Sequence, residues 1–537
     1  MQVRDASLSS PPSAPWWFRH FMPSATDLMF LLLFVALAYG PLWSRLLSDA
    51  DIGWHIRDGQ QIISTQTLPR TDSFSSTMSG KPWYAWEWLS DLVIGLVYNG
   101  IGLNGVVLLA ALVIALTFTL LFRCALARGT GFPVAVILVL LAVAASTIHF
   151  LARPHLVTWL LALVWFEVMD AAEMKAILRG QPEKNLYWLP ALMLLWVNLH
   201  GGFVLALVLT AIYLLAALLP RFFGSPEAPG HYIKTLSAIA VLTALVTFLN
   251  PYGYSLHVHV FQYLSDRFFM NHINEFLSPN FHGSSEKCFA ALVLISILTF
   301  ALSLRRPRPS HLLVVLFATY AGLYASRNIP IASVLIVLVV APVFSHALTP
   351  NSDHGKSEMP PYAQTLQSFS QRMIAMEGQL RTHLWPVVVL LLSLAVALQH
   401  RCWGSTVLMD AKFDAKRFPV QAAEVLRQQA VHEPVFTPDS WSGYLIYRLY
   451  PQLKVVVDDR HDLYGERFLK QYLKVVRVEP GWGQILDEWN VNWVVVPAMS
   501  SLSGVLQQSP QWSVVHKDAT AILFNRASPI NPPVTSQ

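Results

Sequence analysis

The chain has 537 residues, of which 54% are hydrophobic and only 13% are charged, and its mean hydropathy is +0.45. This composition excludes an ordinary soluble protein and predicts one that crosses a membrane several times. The net charge of +5 does not indicate nucleic-acid binding, because Lys and Arg gather in short loops between apolar segments, as the positive-inside rule predicts. Cys124, Cys288 and Cys402 show no metal-ligand spacing, and whether Cys288 pairs with Cys402 stays open.

The first 400 residues contain a series of apolar segments that are long enough to span a bilayer. A polar stretch at 1–24 precedes them and is predicted to be cytoplasmic, with a cleaved leader ending near Ala38 as the alternative. We predict about eleven spans, at 28–47, 104–122, 132–149, 155–172, 187–203, 204–220, 235–250, 288–304, 310–325, 330–348 and 384–400. They form a predicted transmembrane domain at 25–400, with external loops at 48–103 and 251–287 and a cytoplasmic loop at 349–383.

From residue 401 to residue 537 the composition becomes that of a soluble domain. Short apolar runs at 434–436, 454–457, 493–496 and 521–524 are typical of strands, and helical patterns at 441–450, 464–476, 481–489 and 501–508 alternate with them. The pattern predicts a small α/β domain, and the distribution of Lys and Arg places it outside the membrane. The predicted location is the plasma membrane, with several spans.

The first external loop begins with an unusually acidic stretch, 49–58, directly after the first apolar segment. If this stretch is helical, Asp51, His55 and Asp58 share one face, because they lie at positions i, i+4 and i+7. Carboxylates and an imidazole beside a hydrocarbon layer suit metal coordination or the removal of a proton from an acceptor. The alternative is that Asp49 or Asp51 only caps the helix.

Other polar residues also fall at predicted outer ends of the spans or in the external loops. Because charged groups at membrane depth are costly, their convergence on one side predicts a polar outer cavity. Each residue alone has a simpler explanation, such as a snorkelling arginine or a hydrogen-bonded structural histidine. The candidate substrate-binding residues are Asp49, Glu87, Arg153, His155, Asn198, His200, Tyr252 and Arg327.

The first loop resembles that of the archaeal-type oligosaccharyltransferase catalytic subunit, in the GT-C class of membrane glycosyltransferases. The resemblance rests on Asp51-Ile52-Gly53-Trp54-His55-Ile56-Arg57, followed by Leu68-Pro69, Asp72-Ser73-Phe74-Ser75, Trp83 and Trp86. It implies that Asp51 is the catalytic, metal-binding aspartate and that Glu275 contacts the acceptor. In the soluble domain, Asp439-Ser440-Trp441-Ser442-Gly443-Tyr444 resembles the Trp-Trp-Asp-Tyr-Gly region of that family, which makes Trp441 and Tyr444 candidate substrate contacts.

The sequence leaves the need for a metal open. Where oligosaccharyltransferases carry an acidic pair in the second external loop, this chain has Ala152-Arg153-Pro154-His155. A guanidinium there could neutralise a leaving phosphate, so we expect weak metal dependence. The other reading is a divalent cation, Mg²⁺ or Mn²⁺, held by Asp51 and Glu275.

The resemblance, together with the predicted polar outer cavity, implies a glycosyltransferase that moves a sugar or glycan from a polyprenyl-phosphate or polyprenyl-diphosphate carrier to a lipid, glycan or protein acceptor on the outer face. Asp51, His55 and Glu275 are the predicted catalytic residues, and Arg153 and Arg327 are expected to clamp the carrier phosphate. A transporter or lipid flippase is one alternative, although such proteins usually carry polar groups near the bilayer midplane. A non-catalytic scaffold that displays the soluble domain is another.

Overall fold

The structure is a computed structural model that describes residues 15–40, 42–180, 184–219, 228–303, 306–348, 361–380, 383–399, 402–403 and 406–526. Residues 1–14 of the predicted cytoplasmic segment, and residues 349–360 and 381–382 of the loop predicted at 349–383, lie outside these ranges. The helices up to residue 398 are α1 (Trp16–Phe21), α2 (Ala25–Ala38), α3 (Trp43–Leu46), α4 (Ile52–Thr65), α5 (Trp88–Ile101), α6 (Leu103–Ala127), α7 (Phe132–Ser146), α8 (His155–Arg179), α9 (Leu189–Leu199), α10 (Val204–Leu218), α11 (Gly230–Val246), α12 (Tyr254–Ser265), α13 (Arg267–His272), α14 (Ser284–Leu302), α15 (Pro309–Tyr324), α16 (Ile329–Ala347), α17 (Pro361–Glu377) and α18 (Leu384–Leu398).

The predicted polytopic membrane fold is confirmed. Seven helical segments of the described chain are long and apolar enough to cross a membrane: Trp16–Ala38, Leu103–Ala127, Phe132–His149, His155–Leu178, Gly201–Leu218, Ser284–Leu302 and Ser326–Ala347. Four more apolar helices, α5, α11, α15 and α18, have 10–17 residues.

The first span was predicted at 28–47, but α2 ends at Ala38 and the membrane-capable segment, Trp16–Ala38, begins inside the part predicted to be cytoplasmic. Two further helices differ from the predicted spans. The segment predicted to span at 187–203 contains α9, which has 11 residues and rises only about 16 Å, roughly half the thickness of the hydrocarbon core. It ends at His200, whose backbone is extended, ahead of two glycines. Helix α5 was not predicted: it follows the aromatic stretch 83–88 inside the loop predicted at 48–103, and its 14 residues are too few for the span pattern.

The C-terminal domain is the predicted α/β unit. Its strands are β1 (Cys402–Trp403), β2 (Thr406–Val407), β3 (Val435–Phe436), β4 (Trp493–Pro497), β5 (Trp512–Lys517) and β6 (Ala521–Arg526), and its helices are α19 (Val420–Gln428), α20 (Asp439–Leu449), α21 (His461–Arg477), α22 (Trp482–Glu488) and α23 (Ser501–Gln508). The larger sheet has the order β3-β4-β6-β5, with β3 parallel to β4 and the other pairs antiparallel. The sequence did not predict β5 or α19.

The strand predicted at 454–457 is instead a short connection between the domain and the first loop. Val455 forms isolated bridges with both Ser75 and Val435, and its N–H donates to the carbonyl of Phe74 at 3.2 Å. An apolar run has the same appearance in a sequence whether it lies inside a sheet or pairs with a distant loop, so the pattern could not distinguish the two.

The C-terminal domain packs directly on the first loop, where α20 crosses α4. The crossing is at Gly53 and Gly443, and a Cβ atom on Gly443 would lie only 2.3 Å from the carbonyl oxygen of Ala50. Next to it, Arg460 is buried and forms ion pairs with Asp72 of the first loop at 2.5 Å and with Asp458 at 2.7 Å. The domain therefore closes over the acidic stretch that begins the loop.

Candidate active site

Arg153 joins the two aspartates that open the first loop. Its Nη2 forms an ion pair with Asp51 at 2.6 Å, and its Nη1 donates to Asp49 at 2.9 Å. Asp51 occupies the N-cap position of α4, but its side chain makes no capping hydrogen bond. The capping alternative therefore does not describe Asp51, whose buried carboxylate turns to the loop between α7 and α8. The sequence predicted that these two loops converge, and the structure has them in contact.

Asp459 completes an acidic group with these two aspartates. One carboxylate oxygen from each of Asp49, Asp51 and Asp459 lies within 4.8 Å of the others. Both carboxylate oxygens of Asp459 are buried and have no hydrogen-bond partner among the described residues. Burial, together with the charge of Asp49, raises the pKa of Asp459 to about 7. The carboxylate of Asp459 has no hydrogen-bond partner among the described residues and lies next to two other carboxylates. Hard divalent cations prefer such oxygen ligands, so these three residues could hold Mg²⁺ or Mn²⁺.

Glu275 also lies near Arg153 but is not one of the three acids of that group. Its carboxylate is 3.7 Å from Nη1 of Arg327 and 3.9 Å from Nη1 of Arg153. Burial alone would raise its pKa, but Arg327 and Arg153 outweigh burial and hold the pKa well below its ordinary value. Glu275 therefore stays ionised and holds two arginines at one place, whereas the sequence paired it with Asp51 around a metal.

Glu87 lies between two histidines. Its Oε1 is 3.3 Å from Nε2 of His200, and its Oε2 is 3.8 Å from Nε2 of His55. Burial raises the pKa of Glu87 to about 7 and lowers that of each histidine to about 3. Both imidazoles are thus neutral at physiological pH, while the carboxyl group can exchange a proton there.

Three other predicted site residues are held by structural contacts. The Nε2 of His155 is 3.1 Å from the carbonyl oxygen of His149. Asn198 donates to the carbonyl of Leu249 at 3.1 Å and accepts from the indole of Trp88 at 2.9 Å. The hydroxyl of Tyr252 donates to the carbonyl of Pro69 at 3.3 Å. These bonds tie loops together, and the substrate contacts proposed for these residues stay predictions.

Trp441 and Tyr444 belong to the packing of the C-terminal domain. The indole N–H of Trp441 donates to the carbonyl of Arg417 at 2.9 Å, and the ring of Tyr444 packs on Phe413 and Phe418. Both side chains are buried. Among the described residues neither side chain forms a hydrogen bond with the acidic group, and the substrate contacts of Trp441 and Tyr444 stay predictions.

An apolar cavity lies beside Arg153, between α5, α6 and α8. Apolar side chains form nearly all of its wall. Arg153 is the charged residue of that wall, whose members are Ser90, Val93, Ile94, Val106, Leu109, Ala110, Val113, Ala152, Arg153, Pro154, Leu156, Val157 and Leu199. A ligand with an apolar chain and an anionic head fits this combination.

Asp459, Asp91 and Arg460 were not among the site residues predicted from the sequence. Asp458, Asp459 and Arg460 directly follow the apolar run 455–457, and two acids and a base at the end of a buried run were an available signal. Asp91 is buried at the start of α5 and contacts His55 at 2.5 Å. No local pattern in the sequence relates residues 36 positions apart, so this pairing depends on the fold.

The chain has the GT-C fold: a polytopic helical domain, an acidic first loop that begins with a short helix, and an α/β domain closed over that loop. No protein-family model matches the sequence, and no curated protein matches it. The comparison with solved structures identifies the fold as that of the Archaeoglobus fulgidus oligosaccharyltransferase.

Two structures of that enzyme show the likeness at 12% identity. The enzyme tethered to an acceptor peptide containing the NVT sequon has a TM-score of 0.56, over 94% of this chain and 74% of that chain. Its complex with an inhibitory peptide and a dolichol-phosphate has a TM-score of 0.55, over 97% of this chain and 75% of that chain. ArnT from Cupriavidus metallidurans bound to undecaprenyl phosphate has a TM-score of 0.46 at 17% identity, over 95% of this chain and 100% of that chain.

Proposed function

We propose that this protein is a glycosyltransferase of the plasma membrane that moves a sugar or glycan from a polyprenyl-phosphate or polyprenyl-diphosphate carrier to an acceptor on the outer face. One observation carries the proposal: Arg153 stands at the wall of an apolar cavity and contacts Asp49 and Asp51. A polyprenyl chain in the cavity would bring its phosphate to this arginine and the sugar to the acids.

The phosphate would be held by charge. Arg153 and Arg327 both lie within 4 Å of Glu275, so two guanidinium groups are available at one place. Guanidinium pairs with phosphate through two parallel hydrogen bonds, and it stabilises the negative charge that the leaving phosphate gains. That the similar archaeal enzyme has been solved with a dolichol-phosphate supports a donor of this type.

A divalent cation would fit at Asp49, Asp51 and Asp459. When bound, it would polarise a phosphate or acceptor oxygen as a Lewis acid. The chain's own contribution is to supply three carboxylates from two separate parts, since Asp459 comes from the C-terminal domain and the other two come from the first loop. In this proposal the closure of that domain over the loop completes the site.

The decisive experiment incubates the purified full-length protein with a panel of radiolabelled polyprenyl-linked sugars and with lipid, glycan and peptide acceptors. Transfer of label from any donor supports the proposal. Movement of a donor across a proteoliposome membrane without transfer would establish the flippase alternative instead. Failure of both, in protein that remains folded, would favour the scaffold alternative.

The cavity is tested separately by filling it. Ala110→Trp places a large ring in the cavity wall, and it should raise the KM for a long-chain donor about tenfold or more while leaving a donor with a truncated lipid nearly unaffected. Leu116→Trp is the matched control, because Leu116 lies on the same helix, α6, with 40% of its surface exposed. An equal change in both variants would remove the cavity from the proposal.

A further inference from the structure

We propose that Glu87 is the general base that takes the acceptor's proton, and that His55 and His200 hold its carboxylate in position from both sides. This inference rests on the proposed transfer reaction and assigns one step in it. The sequence predicted Asp51 as the general base or as a ligand to a cation. In the structure, however, the carboxylate of Asp51 forms an ion pair with Arg153 at 2.6 Å. It also belongs to the acidic group with Asp49 and Asp459.

The tautomer of His200 is set by the backbone behind it. The N–H of Gly202 donates to Nδ1 of His200 at 2.9 Å, so Nδ1 is an acceptor. The hydroxyl of Thr158 also lies 2.8 Å from Nδ1, and it is itself the acceptor for the indole N–H of Trp196. A neutral imidazole has only one N–H, which must therefore be on Nε2. Nε2 lies 3.3 Å from Oε1 of Glu87.

His55 is held by a pair of buried acids. Its Nδ1 is 2.5 Å from Oδ1 of Asp91, and the side chain of Asp91 lies within hydrogen-bond reach of Asp58. Asp58 and Asp91 are 0% and 1% exposed, and neither oxygen of Asp58 has another partner among the described residues. Two carboxylates in contact in a dry interior cannot both be ionised, so at least one proton is shared between them.

The close packing of α4 on α5 forces this acid pair together. Gly59 and Gly95 meet at the helix crossing, where a Cβ atom on Gly59 would lie 1.9 Å from the carbonyl oxygen of Asp91. Burial raises the pKa of Asp58 well above its ordinary value, and the neighbouring Asp91 raises it further. When the shared proton is on Asp91 and is donated to Nδ1 of His55, the neutral imidazole carries its N–H on Nε2, which lies 3.8 Å from Oε2 of Glu87.

Glu87 is thus the acid in the site whose surroundings suit proton transfer near neutral pH. Its pKa is about 7, raised first by burial, and a base is most effective when its pKa is close to the working pH. The charged and titratable groups around it are His55, Asp91, His200, Arg153 and Arg327. The two arginines keep the carboxylate form accessible.

In the proposed step the acceptor's O–H or N–H proton passes to an oxygen of Glu87 as the acceptor atom forms its bond to the sugar carbon. The bond from that carbon to the carrier phosphate breaks, and its electron pair leaves with the phosphate. Glu87 then returns the proton to solvent, and the net change is the transfer of the sugar alone. The acceptor proton therefore ends in water and the new negative charge stays on the carrier.

The test compares Glu87→Gln with Asp51→Asn in the full-length protein. For the wild type, kcat/KM should fall about tenfold per pH unit below a midpoint near 7, because protonation removes the base. Glu87→Gln should lower kcat by about 10²–10⁴-fold, abolish this pH dependence and leave the Kd for the donor unchanged. If Asp51→Asn abolishes the pH dependence and Glu87→Gln retains it, the base is Asp51 and the inference is overturned.

The positioning role of His55 has its own readout. His55→Gln keeps an N–H donor near Glu87, whereas His55→Phe does not. Loss of the donor destabilises the carboxylate, so the midpoint of the pH profile should move to higher pH in His55→Phe and stay near the wild-type value in His55→Gln. Equal midpoints in the two variants would show that His55 does not position Glu87.

Infrared titration separates this inference from the proposed function. In protein labelled with ¹³C at glutamate carboxyl groups and studied without donor, one carboxyl band should titrate near pH 7 and be missing from Glu87→Gln. Glu424→Gln, at an exposed ion pair, is the control. If the protein transfers no sugar but shows this titration, the proposed function is refuted, while Glu87 remains the carboxyl group that titrates near pH 7. A titration unchanged by Glu87→Gln refutes the inference itself.

Discussion

Asp51 and Arg153 form an ion pair at 2.6 Å although 102 positions separate them in the chain. The pair joins the start of α4 to the loop ahead of α8, and Asp49 binds the second nitrogen of the same guanidinium. Exposed ion pairs contribute little to stability. The Asp51 carboxylate is only 10% exposed, so removing the charge of either partner would leave the other charge buried without compensation.

Replacing Asp51 by Asn should lower transfer at least about 100-fold with the fold intact, because the change keeps size and hydrogen bonding but removes the charge opposite Arg153. Asp49→Asn should be milder, because Asp49 is 24% exposed and contributes less buried charge. Initial rates and the thermal unfolding midpoint, measured on the same preparations, check both expectations. Near-normal turnover of the Asp51 variant would remove this residue from the chemistry.

Asp459→Asn should weaken the binding of Mn²⁺ about tenfold or more, because the cluster loses one of its three carboxylates. Electron paramagnetic resonance of added Mn²⁺ measures this binding without any need for turnover. Asp487→Asn is the control, since that aspartate is 61% exposed and forms its ion pair with Arg526 rather than with a residue of the acidic group. Full activity after exhaustive chelation would instead support the metal-independent mechanism expected from the arginine in the second loop.

Arg460→Leu should destabilise the contact between the C-terminal domain and the first loop by about 3–5 kcal/mol, because it leaves the buried carboxylates of Asp72 and Asp458 without their cation. Faster proteolytic separation of the two parts and a lower unfolding midpoint are the measurements. Arg427→Ala removes an arginine whose side chain is 54% exposed and should change neither. Unchanged protease resistance of the Arg460 variant would contradict this account.

The proposed orientation predicts that residue 180 is cytoplasmic and that residue 410 is outside. Reporter fusions at these positions, with a third after residue 225, test the distribution of Lys and Arg on which the orientation depends. A cytoplasmic signal at 410 would place the C-terminal domain on the wrong side for transfer at the outer face.

Most of the fold follows from local sequence patterns. The apolar lengths predicted a polytopic domain, and the helices near 441, 464, 481 and 501 of the C-terminal domain lie within a few residues of α20 to α23. Helix α9 and the segment near 455 differ, because a short apolar run does not reveal whether it spans, packs against a helix or pairs with a distant loop.

The residue types and loops of the candidate site were predicted, but their partners were not. The pattern at 49–58 and the single arginine of the second loop predicted where charge would collect, because a chain that crosses a membrane keeps its ionisable groups at the ends of its spans. Only the tertiary structure decided that Asp459 joins Asp51, that Glu275 holds arginines, and that Asp91 supports His55 beneath Glu87. These contacts join positions 36 to more than 400 apart in the chain, and they form only when helix packing and domain closure bring the segments together, which no local periodicity can encode.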